Sequence, residues 1–410
     1  MSPSDRPAIL GGSPICDVTA WPRWPQWDAT ERDGLIAALE TGAWWAGDGA
    51  AAQSFADDFA RFQGAGYALP FTNGTHTMEA ALAACDVGEG DEVIVPGLTF
   101  VATASAVLAA NAVPVLVDID PDALTIDIAA VDAAITARTR AVIAVHLAGN
   151  ACDLDALVAL CARRDLRLIE DCAHAHGTFW RGRGAGSYGD FGSFSMQQSK
   201  LLTAGEGGVL MANDPELMER AWSYWNCGRV RGRHWYDHPG YGSNLRMTEW
   251  QGAVLAAQLA RFPAQNRRRN ANARALDERL VQIPGLAPQR RDPRMDSQGH
   301  FCFVFHYDDR EFAGLSLRGF EAALAAEGIP LGVSYPSLST LGMFRDGVYG
   351  ARLRTSAPDL TTVSLPRSEH AARSTVWMEH RVLLADGDAV GRVADAAERI
   401  RSHAAALVRA

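Results

Sequence analysis

The chain has 410 residues, 48% hydrophobic and 21% charged, with a formal net charge of −10. That balance argues against long disorder and against a nucleic-acid or anionic-membrane partner, and it favours a small-molecule enzyme of two or three domains. Seven scattered cysteines without a Cys-x-x-Cys pair suit reduced thiols in a cytoplasm.

The entry segment, 1–50, is rich in Trp and Pro (Trp21, Trp24, Trp27, Trp44, Trp45) and is not built like a secretory signal. A helical pattern from Ser54 to Phe62 leads to the turn Thr72-Asn73-Gly74-Thr75. Short apolar runs then recur at Asp91 to Pro96, Val113 to Val117, Ala141 to Leu147, Leu166 to Ile169 and Gly208 to Met211, with helical patterns such as Met78 to Cys85 and Leu154 to Arg163 between them. Buried runs alternating with helical crossovers predict an α/β unit, a mainly parallel sheet between helices, over 51–262. The longest weakly polar stretch, Thr99 to Val117, is broken by Ser105, Asn111 and Pro114; it reads as helix, turn and strand and not as a membrane span. After Pro263 a long helix through Arg267-Arg268-Arg269 gives way to a polar loop from Pro284 to Gly299. A strand (Phe301 to Tyr307), a helix (Leu317 to Glu327) and a last helix (Ala389 to Leu407) follow, the pattern of a smaller α+β domain over 263–410.

Chemistry concentrates at the carboxyl ends of the expected strands, where open α/β sheets bind ligands. Leu166 to Ile169 runs into Glu170-Asp171. A carboxylate at that position can keep a pyridine nitrogen protonated; it can equally cap a helix or form a salt bridge. His174 and His176 lack further ligand-like spacing, so no metal is expected. The turn Asn73-Gly74-Thr75 opens a helix, and amides plus a hydroxyl at a helix start make a phosphate cradle. Lys200 is the only lysine, against 37 arginines. Either one lysine has survived by chance on a surface loop, or a chain that uses arginine wherever charge suffices keeps lysine for something guanidinium cannot do, which is to lose its proton and act as a nucleophilic amine. Gly205-Glu206-Gly207-Gly208 lacks the Gly-Lys-Ser/Thr ending of a nucleotide loop and reads as a tight turn closing the lysine loop.

Glu170-Asp171-Cys172-Ala173-His174-Ala175-His176-Gly177, the segment Ser193 to Lys200 with its lysine 29 residues after the aspartate, and Gly205-Glu206-Gly207-Gly208 resemble the DegT/StrS group of sugar and cyclitol aminotransferases, fold type I enzymes that use pyridoxal phosphate. The similarity runs from Trp21 nearly to the C-terminus. Trp24-Pro25-Gln26, Gly42-Ala43-Trp44-Trp45, Thr72 to His76 and Val376 to Leu384 are similar to the branch holding the scyllo-inosose aminotransferases and 3-amino-5-hydroxybenzoate synthase. The resemblance implies that Lys200 forms the Schiff base and moves the proton. By the same resemblance Asp171 pairs with the pyridinium nitrogen, Gly74, Thr75 and Ser195 hold the phosphate, Phe100 stacks on the ring, and His174 lies near it. Asn244 matches the family asparagine that reaches the neighbouring subunit's phosphate, which implies a homodimer with shared active sites. The loop Cys227 to Arg233 is closer to the aminohydroxybenzoate synthases, and Gln197-Gln198 to the inosose enzymes. Arg229 or Arg231 would bind the amino donor's carboxylate, or simply form a solvated face. The leading expectation is an aminotransferase that cycles its cofactor through pyridoxamine phosphate, taking the amino group from glutamine or glutamate and giving it to a keto-cyclitol or keto-sugar. An aminodehydratase like 3-amino-5-hydroxybenzoate synthase is the alternative, and a catalytically silent partner subunit is a third reading.

Overall fold

A computed structural model describes residues 6–351 and 360–409. Its centre is a seven-stranded sheet in the order Tyr67–Phe71, Gly208–Ala212, Phe191–Ser195, Arg167–Asp171, Thr139–Val145, Glu92–Pro96, Val113–Val117. All pairings are parallel except the two made by Gly208–Ala212. Alternation along the strands divides the core between the two faces. Val93, Val95, Ile143 and Phe191 pack beneath the Gly74–Ala84, Ala102–Ala109 and Pro215–Trp225 helices. Val142, Leu168, Val209 and Met211 point to the opposite face, against Leu157 and Leu160 in one cluster and Phe55, Phe59, Leu255 and Phe262 in another.

Two of these strands have no signal in the sequence. Phe191–Ser195 reads Phe-Gly-Ser-Phe-Ser and Tyr67–Phe71 contains Pro70, so local propensity is weak. Tertiary pairing with Gly208–Ala212, which hydrogen-bonds to both, makes them strands.

The C-terminal part is an antiparallel sheet of Leu286–Pro288, Cys302–Tyr307 and Thr375–Glu379, covered by the Leu317–Ala326 and Gly387–Ser402 helices around Phe303, Phe305, Phe312 and Phe320. The expected loop from Pro284 to Gly299 contains two short strands. Leu286–Pro288 pairs with Tyr307 to Phe305, and Met295–Ser297 pairs with Trp180 and Phe179; partners distant in sequence supply their ladders. The Glu249–Leu280 helix runs unbroken through positions 262 and 263 with Pro263 inside it. Its core partners change along its length, from Phe55 and Phe59 around Phe262 to Phe303 and Phe320 around Leu276 and Leu280. Cys16 and Trp21, from the entry segment, also lie in that second core.

Candidate active site

A cavity of about 700 Å³ opens where the strands end. Gly74, Thr75, Phe100, Asp171, His174, Ser195 and Lys200 all line it, although they come from four separate stretches of sequence. Parallel pairing makes this convergence: Phe71, Pro96, Val145, Asp171 and Ser195 end their strands at one edge of the sheet.

Asp171 ends its strand with both oxygens held. Thr103 Oγ1 donates to Oδ2 at 2.8 Å and the Ala173 amide to Oδ1 at 3.2 Å, while Thr103 is itself bonded to Thr99 at 2.9 Å. Burial pushes the Asp171 carboxyl up from its ordinary value, opposed by Thr103, the Ala173 amide and the charge of Lys200. Lys200 lies only 9% exposed, its Nζ 4.3 Å from the centre of the Phe301 ring. Burial lowers its pKa to about 8 against the pull of Asp171, so an amine is available near neutral pH.

The Gly74–Ala84 helix begins beside them. Asn73 caps it, its Oδ1 accepting from the His76 amide at 2.9 Å, and the first amides of a helix have no intrahelical acceptor. A Cβ on Gly74 would stand 2.8 Å from Ser195 Cβ; the missing side chain lets the helix start press against the strand that carries Ser195. Gly205, with φ of +84°, turns the following loop back, so that the Gln198 amide donates to the Gly205 carbonyl and the Met196 amide to that of Gly207. The expected tight turn is therefore present.

His174 is neutral, because burial and the Lys200 charge push its pKa well down. Its ring stacks on Phe301 at 3.8 Å and meets the Tyr335 hydroxyl at 3.2 Å. His176 lies behind the cavity, with Nε2 bonded to the Ser195 carbonyl at 3.0 Å. Among the described residues one group, His146, Glu170 and Cys172, has metal-ligand spacing. Its carboxylate is already engaged by His146 and by the amides of Gly186, Tyr188 and Gly189 at 2.7–3.0 Å, which is a structural bracket beneath the Asp171 turn.

Three expected site residues are not in the cavity lining. Asn244 is exposed and bridges to Asn226. Arg231 pairs with Glu219 at 2.8 Å over the Trp222 ring, and Arg229 donates to the Trp235 carbonyl at 2.7 Å and to Asn226 at 3.1 Å. Sequence reasoning missed Thr103, Phe301 and Tyr335. Thr103 is one of several polar residues in the weakly polar stretch after Phe100, with Ser105 and Asn111, so nothing singles it out; Phe301 and Tyr335 reach the site from the C-terminal part, and nothing local marks them.

These residues fit pyridoxal phosphate: an amine that can lose its proton, a buried carboxylate for a ring nitrogen, and a helix start closed on Ser195 for a phosphate. Sheet order and site define a class, the fold type I enzymes that use this cofactor. Comparison with known proteins narrows it. Residues 25–397 match the DegT/DnrJ/EryC1/StrS aminotransferase family, and the chain belongs to that family as a pyridoxal-phosphate-dependent aminotransferase. It is 38% identical to an L-glutamine:2-deoxy-scyllo-inosose aminotransferase of Micromonospora echinospora, over 96% of this chain and 97% of that one. It is also 38% identical to a 3-amino-5-hydroxybenzoate synthase of Amycolatopsis mediterranei, over 89% and 93%. A crystal structure of 3-amino-5-hydroxybenzoic acid synthase superposes with a TM-score of 0.84 at 36% identity, covering 95% of this chain and 99% of that one.

Proposed function

We propose that the chain moves an amino group from glutamine or glutamate to the ketone of a cyclitol or sugar, in aminocyclitol-type secondary metabolism in the cytoplasm. The observation that carries this reading is that the Lys200 amine, the Asp171 carboxylate and the Gly74 helix start open on one cavity. When bound, pyridoxal phosphate supplies an electron sink for breaking a C–H bond beside nitrogen. Lys200 would hold it through Nζ and would take and return the substrate proton at the same atom. Asp171 would keep the ring nitrogen protonated, Gly74, Thr75 and Ser195 would hold the phosphate, Phe100 would stack on the ring and His174 would lie near it. Asn244 serves the phosphate of a neighbouring subunit in a homodimer, and Arg229 or Arg231 binds the donor carboxylate. The cofactor lies in a large unit, 51–262, partly covered by a smaller one, 263–410, with 1–50 as the entry segment.

The pyridoxamine form, mixed with keto-cyclitols, keto-sugars and amino-dehydroshikimate, tests this. Return of the Schiff-base absorbance with a keto-cyclitol or keto-sugar is expected. Release of an aromatic product from amino-dehydroshikimate mixed with the pyridoxal form, and no reaction of the ketones with the pyridoxamine form, would instead establish the aminodehydratase reading, which the similarity to the hydroxybenzoate synthases supports.

A further inference from the structure

A second cavity of about 700 Å³ adjoins the first, and Tyr335 and Ser199 line both. The second is walled by Trp24 and Trp377 together with Arg23, Glu379 and Arg381, aromatic faces among charged donors and acceptors, which suits a ring carrying several hydroxyl groups. At the junction the hydrogen-bond directions are determined. The Ala148 amide donates to His174 Nδ1 at 3.3 Å, so that nitrogen holds a lone pair and the neutral ring carries its hydrogen on Nε2. Nε2 faces the Tyr335 oxygen at 3.2 Å and must donate to it. Tyr335 accepts there and keeps its own O–H free to donate elsewhere. Burial holds the phenol protonated, and the ring is fixed against Trp377 at 5.3 Å and Phe100 at 5.9 Å.

We propose that Tyr335 is a specificity-determining donor: its hydroxyl bonds an oxygen of the acceptor's ring, orienting the ketone toward the Lys200 cavity. The inference rests on the aminotransferase reading above. Its counterpart is a hydroxyl or carbonyl oxygen on the acceptor, so the amino-donor half-reaction does not depend on it.

Tyr335→Phe removes one oxygen and keeps the ring packing. Single-turnover rates are followed for each half-reaction, with L-glutamine on the pyridoxal form and with 2-deoxy-scyllo-inosose or scyllo-inosose on the pyridoxamine form. The glutamine half should change less than about twofold, while the second-order rate with the ketone falls about tenfold or more. Losing the oxygen through its effect on His174 alone would slow both halves alike, and that result overturns the proposal, as does an unchanged ketone rate. A wild-type pyridoxamine form inert to both ketones overturns the acceptor class and the Tyr335 assignment together; a reactive wild type with an unaffected variant overturns only the latter.

Discussion

Thr103 Oγ1 donates a 2.8 Å hydrogen bond to Asp171 Oδ2 from a helix that follows the Phe100 turn. Thr103 thereby favours the ionised form and fixes one orientation, opposing a burial that pushes the carboxyl up. Removing the donor with Thr103→Val should cost about 1.5–3 kcal/mol, the range for hydrogen bonds to charged groups, or roughly 10- to 150-fold in turnover. Asp171→Asn should cost more, on the order of 4 kcal/mol in barrier. Steady-state rates alongside near-ultraviolet circular dichroism check both; a fully active asparagine variant would exclude the pyridinium role.

Lys200 is the only residue whose side chain carries a primary amine able to form an imine with the cofactor. Borohydride reduction should fix the cofactor on the Lys200 peptide, and Lys200→Arg should abolish turnover. The folded pKa of about 8 lies below that of an ordinary lysine, and the neutral amine is the reactive form. Capture of pyridoxal phosphate by the apoenzyme should therefore slow about tenfold for each pH unit below 8 and level off above it. Stopped-flow absorbance from pH 6 to 9.5 reads this directly, and a flat profile would contradict it.

Gly74→Ala places a methyl group 2.8 Å from Ser195 Cβ and 3.1 Å from its Cα. Backbone cannot yield as a flexible side chain does, so the helix start must lift off the strand. A stability loss of about 1–3 kcal/mol is expected from such overpacking, with cofactor affinity lowered at least about tenfold if the helix start holds the phosphate. Gly88→Ala, where a Cβ meets nothing within 4 Å, is the control. Equal effects of the two substitutions, by fluorescence titration and thermal melts, would show that the approach to Ser195 has no bearing on binding.

Asn244 lies outside the cavity lining of its own chain, and the proposed homodimer gives it a role at the neighbour's site. Mixing inactive Lys200→Ala subunits with impaired Asn244→Ala subunits, with exchange proved by two tags, should restore part of the activity, since one site of each heterodimer then has both groups intact. Exchange without recovery would refute a shared site.

The sequence alone determined the chemistry. One lysine among arginines, a carboxylate ending an apolar run, and Asn-Gly-Thr before a helical pattern are local signals, because a nucleophile, a strand end and a helix cap are each written in a few adjacent residues. Tertiary structure alone decided how they meet. Phe191–Ser195 is a strand only through its neighbours, the Pro284 to Gly299 loop gains its short strands from partners elsewhere in the chain, and Thr103, Phe301 and Tyr335 join the site because parallel pairing and the packing of the C-terminal part bring them there. Burial, which sets the Lys200 and Asp171 pKa shifts, belongs to the folded chain, since desolvation depends on what surrounds a group and not on its sequence neighbours.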